Sequence, residues 1–404
     1  MRFFAVLAVV SLMVAIPLLS FPAQKSDPNN VVDFSFSYCA GQIVRQGLGR
    51  DLYDLKTQVQ FQSKVAFVHA FYNHPPYEAL LYVPLTYFSY HTAYTVWTFV
   101  SLAFLFSAVF LIGSHTKVSL AISQYVRMPG DLGLLLVICI TFAPVTTCLL
   151  LGQNSMLTLL IYTLVFVLLK QDLPTIAGGV LALGLYKFQL ILPLVVILLL
   201  CRKWPAIRGF SAVAFVMALL SVGISGFRVI INYPKFLLFD SVYQKVAGFN
   251  PGYMPNIRGI LYLTIGGRVG KPIFGLLVTV SSALVLWIAS RNWRDEELGL
   301  SFSTALLATL LASYHLYNYD LTLLLLPMAI ICSELAMRGR LLRATILNMA
   351  LIALFVSPLH RFLLLYSIYP LMCVPIVILL VNAIRLSQDI RLVSGRVVVA
   401  TAQA

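Results

Sequence analysis

Asp33, Lys187, Arg258, His315 and Asp320 are the side chains in this sequence whose types and settings suit chemistry rather than packing. Asp33 stands about a dozen residues beyond the first apolar segment, at the start of a polar stretch, in a chain with few acids. A carboxylate at the edge of a hydrocarbon layer can take a proton from an attacking hydroxyl. It can equally cap the helix that the spacing of Phe34, Tyr38, Ile43 and Val44 predicts along the membrane surface, because a helix N-terminus favours an ionised carboxylate. Lys187 lies near the middle of the apolar stretch from Pro174 to Cys201. A cation there is expensive unless it is paired, reaches a polar cavity or snorkels to the interface, and a lipid phosphate would be a natural partner. Arg258, in PNIRGIL, sits where a second polar loop turns apolar, among Arg228, Lys235, Lys245, Arg268 and Lys271 against one acid, Asp240. That excess suits an anionic headgroup or a phosphodiester. In ASYHLYNYDLTLLLLP, His315 and Asp320 are five residues apart at a break between two apolar runs and could face one cavity.

Two further segments could supply contacts. FYNHPPYEALLYVPL gathers Tyr72, His74, Tyr77 and Glu78 around the rigid Pro75-Pro76 pair. Rings on a fixed backbone suit a sugar or headgroup, although aromatic residues also anchor membrane interfaces with no catalytic part. Gly152, Gln153 and Asn154 form a whole connection between two apolar runs. A tight turn accounts for Gly152 and Asn154, whereas Gln153 could also bond a sugar hydroxyl.

The elements that must position these residues are membrane helices. With 60% hydrophobic residues, 10% charged residues and a mean hydropathy of +0.92 over 404 residues, the chain has far more apolar surface than a water-soluble core can hide. The net charge of +14 is spread between apolar runs rather than concentrated in a block, which speaks for membrane flanks and against nucleic acid. Five of the six cysteines fall in apolar runs, Cys39 alone is in a polar region, and no CxxC or Cys/His cluster appears, so neither a disulfide framework nor a zinc site is indicated. No HExxH, GxSxG, P-loop or GxGxxG occurs in its required context.

A span takes about twenty apolar residues, which places helices near 3–21, 92–113, 132–151, 154–170, 206–224, 273–290, 298–313, 320–336, 344–358 and 362–384. Residues 174–201 read as two short helices meeting within the membrane or at its outer face. The first segment reads as an uncleaved helix rather than a signal peptide. The expected fold is therefore an all-α polytopic bundle of about ten full spans plus two short helices, a single domain over residues 1–404. With the N-terminus inside, the cytoplasmic connections collect fifteen Lys and Arg residues and the short outer ones only Lys187 and Arg361. That bias puts both termini in the cytoplasm and the long loops 22–91 and 225–272 outside, in a multi-pass inner-membrane protein.

Asp33 ahead of GLGRDLY, NHPPYEALLYVPL, the Gly152-Gln153-Asn154 turn, AGGVLALGLYKFQL around Lys187, NIRGIL and SYHLYNYDLTLLLLP occur in an order that resembles glycosyltransferase family 87 of the C-type superfamily. The resemblance implies an inverting transfer of a hexose, most simply mannose, from a polyprenyl-phosphate sugar to a lipid or glycan acceptor among membrane lipids. By that likeness Asp33 is the general base, and Lys187 and Arg258 stabilise the departing phosphate. His315 stands near the phosphate or acceptor, and Tyr72, His74, Gln153 and Asp320 supply further contacts. No cofactor and no metal are called for. Phe188-Gln189 stands where the family often has proline after the lysine, and the His315 motif lacks the tryptophan and paired histidine of one branch, so the sugar and acceptor do not carry over. The competing reading is a transporter or flippase of lipid-linked saccharides, which would also want basic residues and rings but normally places polar groups on both sides of a midplane pathway. A polymerase or ligase acting on a lipid diphosphate glycan is a third.

Overall fold

The computed structural model describes residues 33–65, 71–126, 129–239 and 250–402, and among them every regular element is helical. Among the described residues, six helical segments are long and apolar enough to cross a membrane: Tyr90–His115, Pro174–Leu200, Trp204–Ser225, Lys271–Arg291, Asn318–Met337 and Tyr369–Asp389. Two further pairs are sharply bent, Leu132–Ile140 with Ala143–Leu151 at 67° and Thr345–Phe355 with Ser357–Leu365 at 71°. Counting each pair as one span gives eight.

The spans expected from hydropathy are thus reshaped, for physical reasons. Pro144 and Pro358 open the second arm of each bent pair, and proline can neither donate to the preceding turn nor let its predecessor stay helical. The run 362–384 is divided in the same way, because residues 362–365 end the second arm and a new helix starts beyond Tyr369. The helices Ser155–Lys170 and Leu298–Ala312 reach only 16 and 15 residues. The two short helices expected at 174–201 are present as Pro174–Leu183 and Phe188–Leu200, joined by a 3-10 turn at Gly184–Lys187 and together long enough for one candidate span. The expected helix at 3–21 lies outside the described residues.

Burial separates core helices from lipid-facing ones. Ser155–Lys170, Leu298–Ala312 and Leu325–Met337 are covered on nearly every side, which suits sequences apolar all round. Trp204–Ser225 and Lys271–Arg291 expose Phe215, Leu219, Leu276 and Val280, as a helix facing lipid should. Pro174–Leu183 and Trp204–Ser225 approach so closely that a Cβ on Gly178 or Gly209 would stand 1.8 Å from a carbonyl oxygen of the other helix. Small residues permit such contact between membrane helices.

The predicted helix after Asp33 is present as Phe34–Arg45. Protein covers its apolar face: Phe34, Tyr38 and Ile43 are buried beneath the Pro76–Tyr82 and Tyr90–His115 helices. Phe34 meets Tyr82, Tyr94 and Trp97 at ring-centre distances of 5.6–6.4 Å. This aromatic cluster anchors Asp33 from one side.

Candidate functional site

Residues 152–155 organise the site. Gly152 ends the Ala143–Leu151 helix with φ +65°, and a Cβ there would come within 2.6 Å of the Phe34 Cβ. Glycine is needed on both counts. Trp97 Nε1 donates to the Gly152 carbonyl at 2.9 Å, and the Tyr94 hydroxyl reaches the carbonyls of Leu149 and Leu150. The turn is therefore clamped to the aromatic cluster that carries Asp33.

The three residues that follow each reach one acid. Gln153 Nε2 donates to Asp33 Oδ2 at 2.5 Å. Asn154 Nδ2 donates to Glu78 Oε1 at 2.5 Å. Ser155 Oγ lies 2.9 Å from Asp320 Oδ1 and accepts from Lys187 Nζ at 2.6 Å. Asn154 thus does more than make the turn, the role assigned to it from sequence, and it caps no helix. Asp33 makes no side-chain cap either, although it occupies the N-cap position. Its carboxylate is turned toward Gln153, which leaves the capping reading without support.

Lys187 does not snorkel. It is 3% exposed and pairs with Asp320 Oδ1 at 2.6 Å, and its ammonium lies 5.2 Å from the centre of the Tyr319 ring. An ammonium has three donors; Ser155 and Asp320 account for two, and one is left for a ligand.

Glu78, which the sequence reading left outside the site, is fully buried. Its second oxygen accepts from the Tyr72 hydroxyl at 3.0 Å and meets His74 Nδ1 at 2.7 Å. That approach forms no hydrogen bond, so His74 lies against Glu78 by proximity alone while its side chain lines the cavity. The signal was available: His74 and Glu78 stand four apart across a proline that starts a helix.

A cavity of about 330 Å³ opens over these groups, lined by His74, Gln153, Lys187, His315 and Asp320 together with Tyr186, Tyr233 and others. It falls at the small end of ligand pockets. Five of the eight residues singled out in the sequence line it. Asp33 is joined to it through Gln153. Tyr72 stands behind, bonded to Glu78 and to the Pro75 carbonyl. Arg258 also stands behind the wall, stacked at 4.1 Å on the ring of Tyr314, which does line the cavity, and donating to the Tyr314 carbonyl at 3.1 Å.

Burial pushes the Asp33 carboxyl up to about 6, against the lowering effects of the Gln153 hydrogen bond and of nearby His74 and Lys187. Burial likewise pushes His315 down to about 4, so at neutral pH it is an uncharged hydrogen-bonding ring beside Tyr317. The site thus holds, behind Gln153, a carboxylate able to accept a proton near neutrality and, on the cavity wall, a fixed ammonium with a spare donor.

Residues 72–313 match the model of glycosyltransferase family 87. The match covers more than half of the 404 residues. The chain belongs to glycosyltransferase family 87. No curated protein and no solved structure matches it. Family 87 membership makes it a glycosyltransferase with several candidate membrane helices, acting on a sugar donor and an acceptor. His74, Gln153, Lys187 and Arg258 fall inside the matched residues, whereas Asp33, His315 and Asp320 fall outside them. Gln153 and Lys187 connect Asp33 and Asp320 to the matched part.

Proposed function

We propose that this family 87 enzyme transfers a hexose, most simply mannose, from a polyprenyl-phosphate sugar to a hydroxyl of a lipid or glycan acceptor at the outer membrane face, with inversion at the anomeric carbon. The observation that carries this reading is the 153–155 turn, whose adjacent side chains reach Asp33 on one side and the Lys187–Asp320 pair on the other. Such a layout suits a displacement. The acceptor hydroxyl loses its proton to Asp33 as its oxygen attacks the anomeric carbon, and the bond to the phosphate oxygen breaks on the opposite face. Charge then grows on the leaving phosphate, where the remaining Lys187 donor acts. Electrostatic stabilisation counts most at developing charge in a site shielded from water.

His315, uncharged, and His74, on the cavity wall beside Glu78, supply directional hydrogen bonds to sugar, phosphate or acceptor. Arg258 acts at one remove, holding Tyr314 in the cavity wall. The positive-inside distribution of Lys and Arg supports an outward-facing site and cytoplasmic termini. The whole chain forms one domain in this reading, since the residues of the site are drawn from its beginning, middle and last third.

The test is sugar transfer by purified protein in nanodiscs, from labelled polyprenyl-phosphate hexoses to a membrane lipid extract, with wild type and Asp33→Asn side by side. Transfer by wild type that disappears in the variant is the expected result. Absence of transfer from every such donor, together with movement of labelled lipid-linked sugar between leaflets, would replace the reading with a flippase.

A further inference from the structure

A second hollow, of about 240 Å³, opens beside the Phe227–Phe239 helix and is lined by Arg50, Tyr53, Asp54, Arg228, Tyr233 and Phe236 among others. A backbone contact fixes it. A Cβ on Gly49 would stand 2.2 Å from the Ile224 carbonyl oxygen, so glycine is what lets the 49–51 turn close on the end of the Trp204–Ser225 helix. That closure sets the Arg50 side chain 3.9 Å from the Cβ position of Gly226, two residues before Arg228. Neither arginine forms an ion pair among the described residues. Asp54, the acid in the hollow, already accepts from the Thr57 amide and hydroxyl at 2.8 Å each.

The surroundings say what kind of anion fits. Arg228 comes three residues after the Trp204–Ser225 segment ends, the depth at which a span leaves hydrocarbon for headgroups. Along the next helix, residues 228, 232 and 236 line the hollow. The adjoining face carries Phe227 and Ile231, 67% and 60% exposed. An arginine flanked by side chains that face acyl chains is placed for a phosphate still attached to its lipid. The hollow also adjoins the catalytic cavity: Tyr233 lines both. The hydroxyls of Tyr53 and Tyr233 donate to the His74 and Asn73 carbonyls at 2.7 and 2.6 Å.

We propose that Arg50 and Arg228, with Tyr53 and Phe236, form a binding site for the phosphodiester of an anionic membrane lipid headgroup, separate from the donor cavity. Two guanidinium forks give the bidentate recognition that phosphate oxygens favour.

The test is native mass spectrometry of the full chain, delipidated in neutral detergent and titrated with dioleoylphosphatidylglycerol, dioleoylphosphatidylcholine or inorganic phosphate. One phosphatidylglycerol should bind about tenfold or more tightly than either alternative, and the Arg50→Gln, Arg228→Gln double variant should lose that preference. Lys235→Gln removes an exposed charge from the same helix outside the hollow and should keep it. Phosphate bound as tightly as the lipid would overturn the headgroup assignment. A preference that survives in the double variant, or is lost equally in Lys235→Gln, would show diffuse attraction and overturn the site. An Arg50→Lys, Arg228→Lys variant keeps the charge without the planar forks and should fall between wild type and the glutamine variant, whatever the fold stability of the latter. Binding is the readout, so the result stands whether or not transfer from a polyprenyl-phosphate sugar is found.

Discussion

At Asp33 burial and function pull in opposite directions. A carboxyl pushed up to about 6 is protonated in the folded protein at pH values where it would be ionised in the unfolded chain. The stability this contributes is complete below the unfolded value and is lost as pH rises through 6, where the ion is left partly desolvated. Proton abstraction needs that ion, so transfer should climb with pH to a plateau above about 6. A kcat/KM profile measured across that range checks it, and a flat profile through pH 6 would remove Asp33 from the role. Asp33→Asn keeps an acceptor for Gln153 and sheds the charge. It should lose about 10²–10⁴ in rate while melting no lower than wild type at pH 7.5, which separates lost chemistry from lost fold. The Lys187–Asp320 pair behaves otherwise. Lys187→Met alone strands a buried carboxylate and should destabilise by about 3–5 kcal/mol. Adding Asp320→Leu should restore most of the melting temperature and none of the transfer. Recovery of transfer in the double variant would mean that the pair only holds the fold. Asp33, Lys187 and Asp320 were legible in the sequence because charge is scarce there and each stands at the margin or middle of an apolar run. Glu78 was not, since its neighbours offered several roles and only the fold shows the Tyr72 and Asn154 donors converging on its carboxylate.

The element that matters most is the shortest. The turn at 152–155 places three polar side chains on three acids because Gly152 turns the chain and lets Phe34 close against it. Gly152→Ala adds a Cβ at φ +65° and 2.6 Å from Phe34. Left-handed backbone alone costs an alanine about 1–2 kcal/mol, and relief of the clash must move either Asp33 or Gln153. Transfer should therefore fall by more than the melting temperature implies. A loss of stability with unchanged kcat would show that the turn serves the fold alone. Sequence pattern placed the turn but offered Asn154 no partner, because turn chemistry explains an asparagine without reference to anything distant. The spans were legible to a similar degree. Hydropathy locates 90–115, 204–225 and 271–291 to within a few residues, since each is one long, unbroken apolar helix. It reads the first bent pair as one straight run at 132–151, joins the end of the second pair to the next helix as 362–384, and overstates the short core helices, because averaging over a window cannot register a proline bend of 67° or 71°. Helix Phe34–Arg45 was found at its expected position and misplaced in its environment: amphipathic spacing shows which face is apolar, and the aromatic cluster rather than lipid covers it.

For the molecule as a whole, the arrangement becomes a transferase using a polyprenyl-phosphate donor only if the cavity opens on the side where such donors present their sugar. The cavity gathers residues from near 74, 153, 187 and 315–320, with Asp33 joined through Gln153, whereas the basic connections near 202, 291 and 338–343 follow the far ends of the segments 174–200, 271–291 and 318–337. Orientation can be read from two engineered cysteines. Leu48, 38% exposed, lies on the site side, and Leu342, 60% exposed, lies in a basic connection. Native thiols give little background, since five of the six are buried and Cys201, partly exposed, stands beside Arg202 and Lys203 at the basic end. A membrane-impermeant maleimide applied to spheroplasts should label Leu48→Cys before lysis and Leu342→Cys only after it. The reverse pattern would turn the cavity toward the cytoplasm. The Lys and Arg distribution would then have misled, and the donor would have to be one displayed on the inner leaflet.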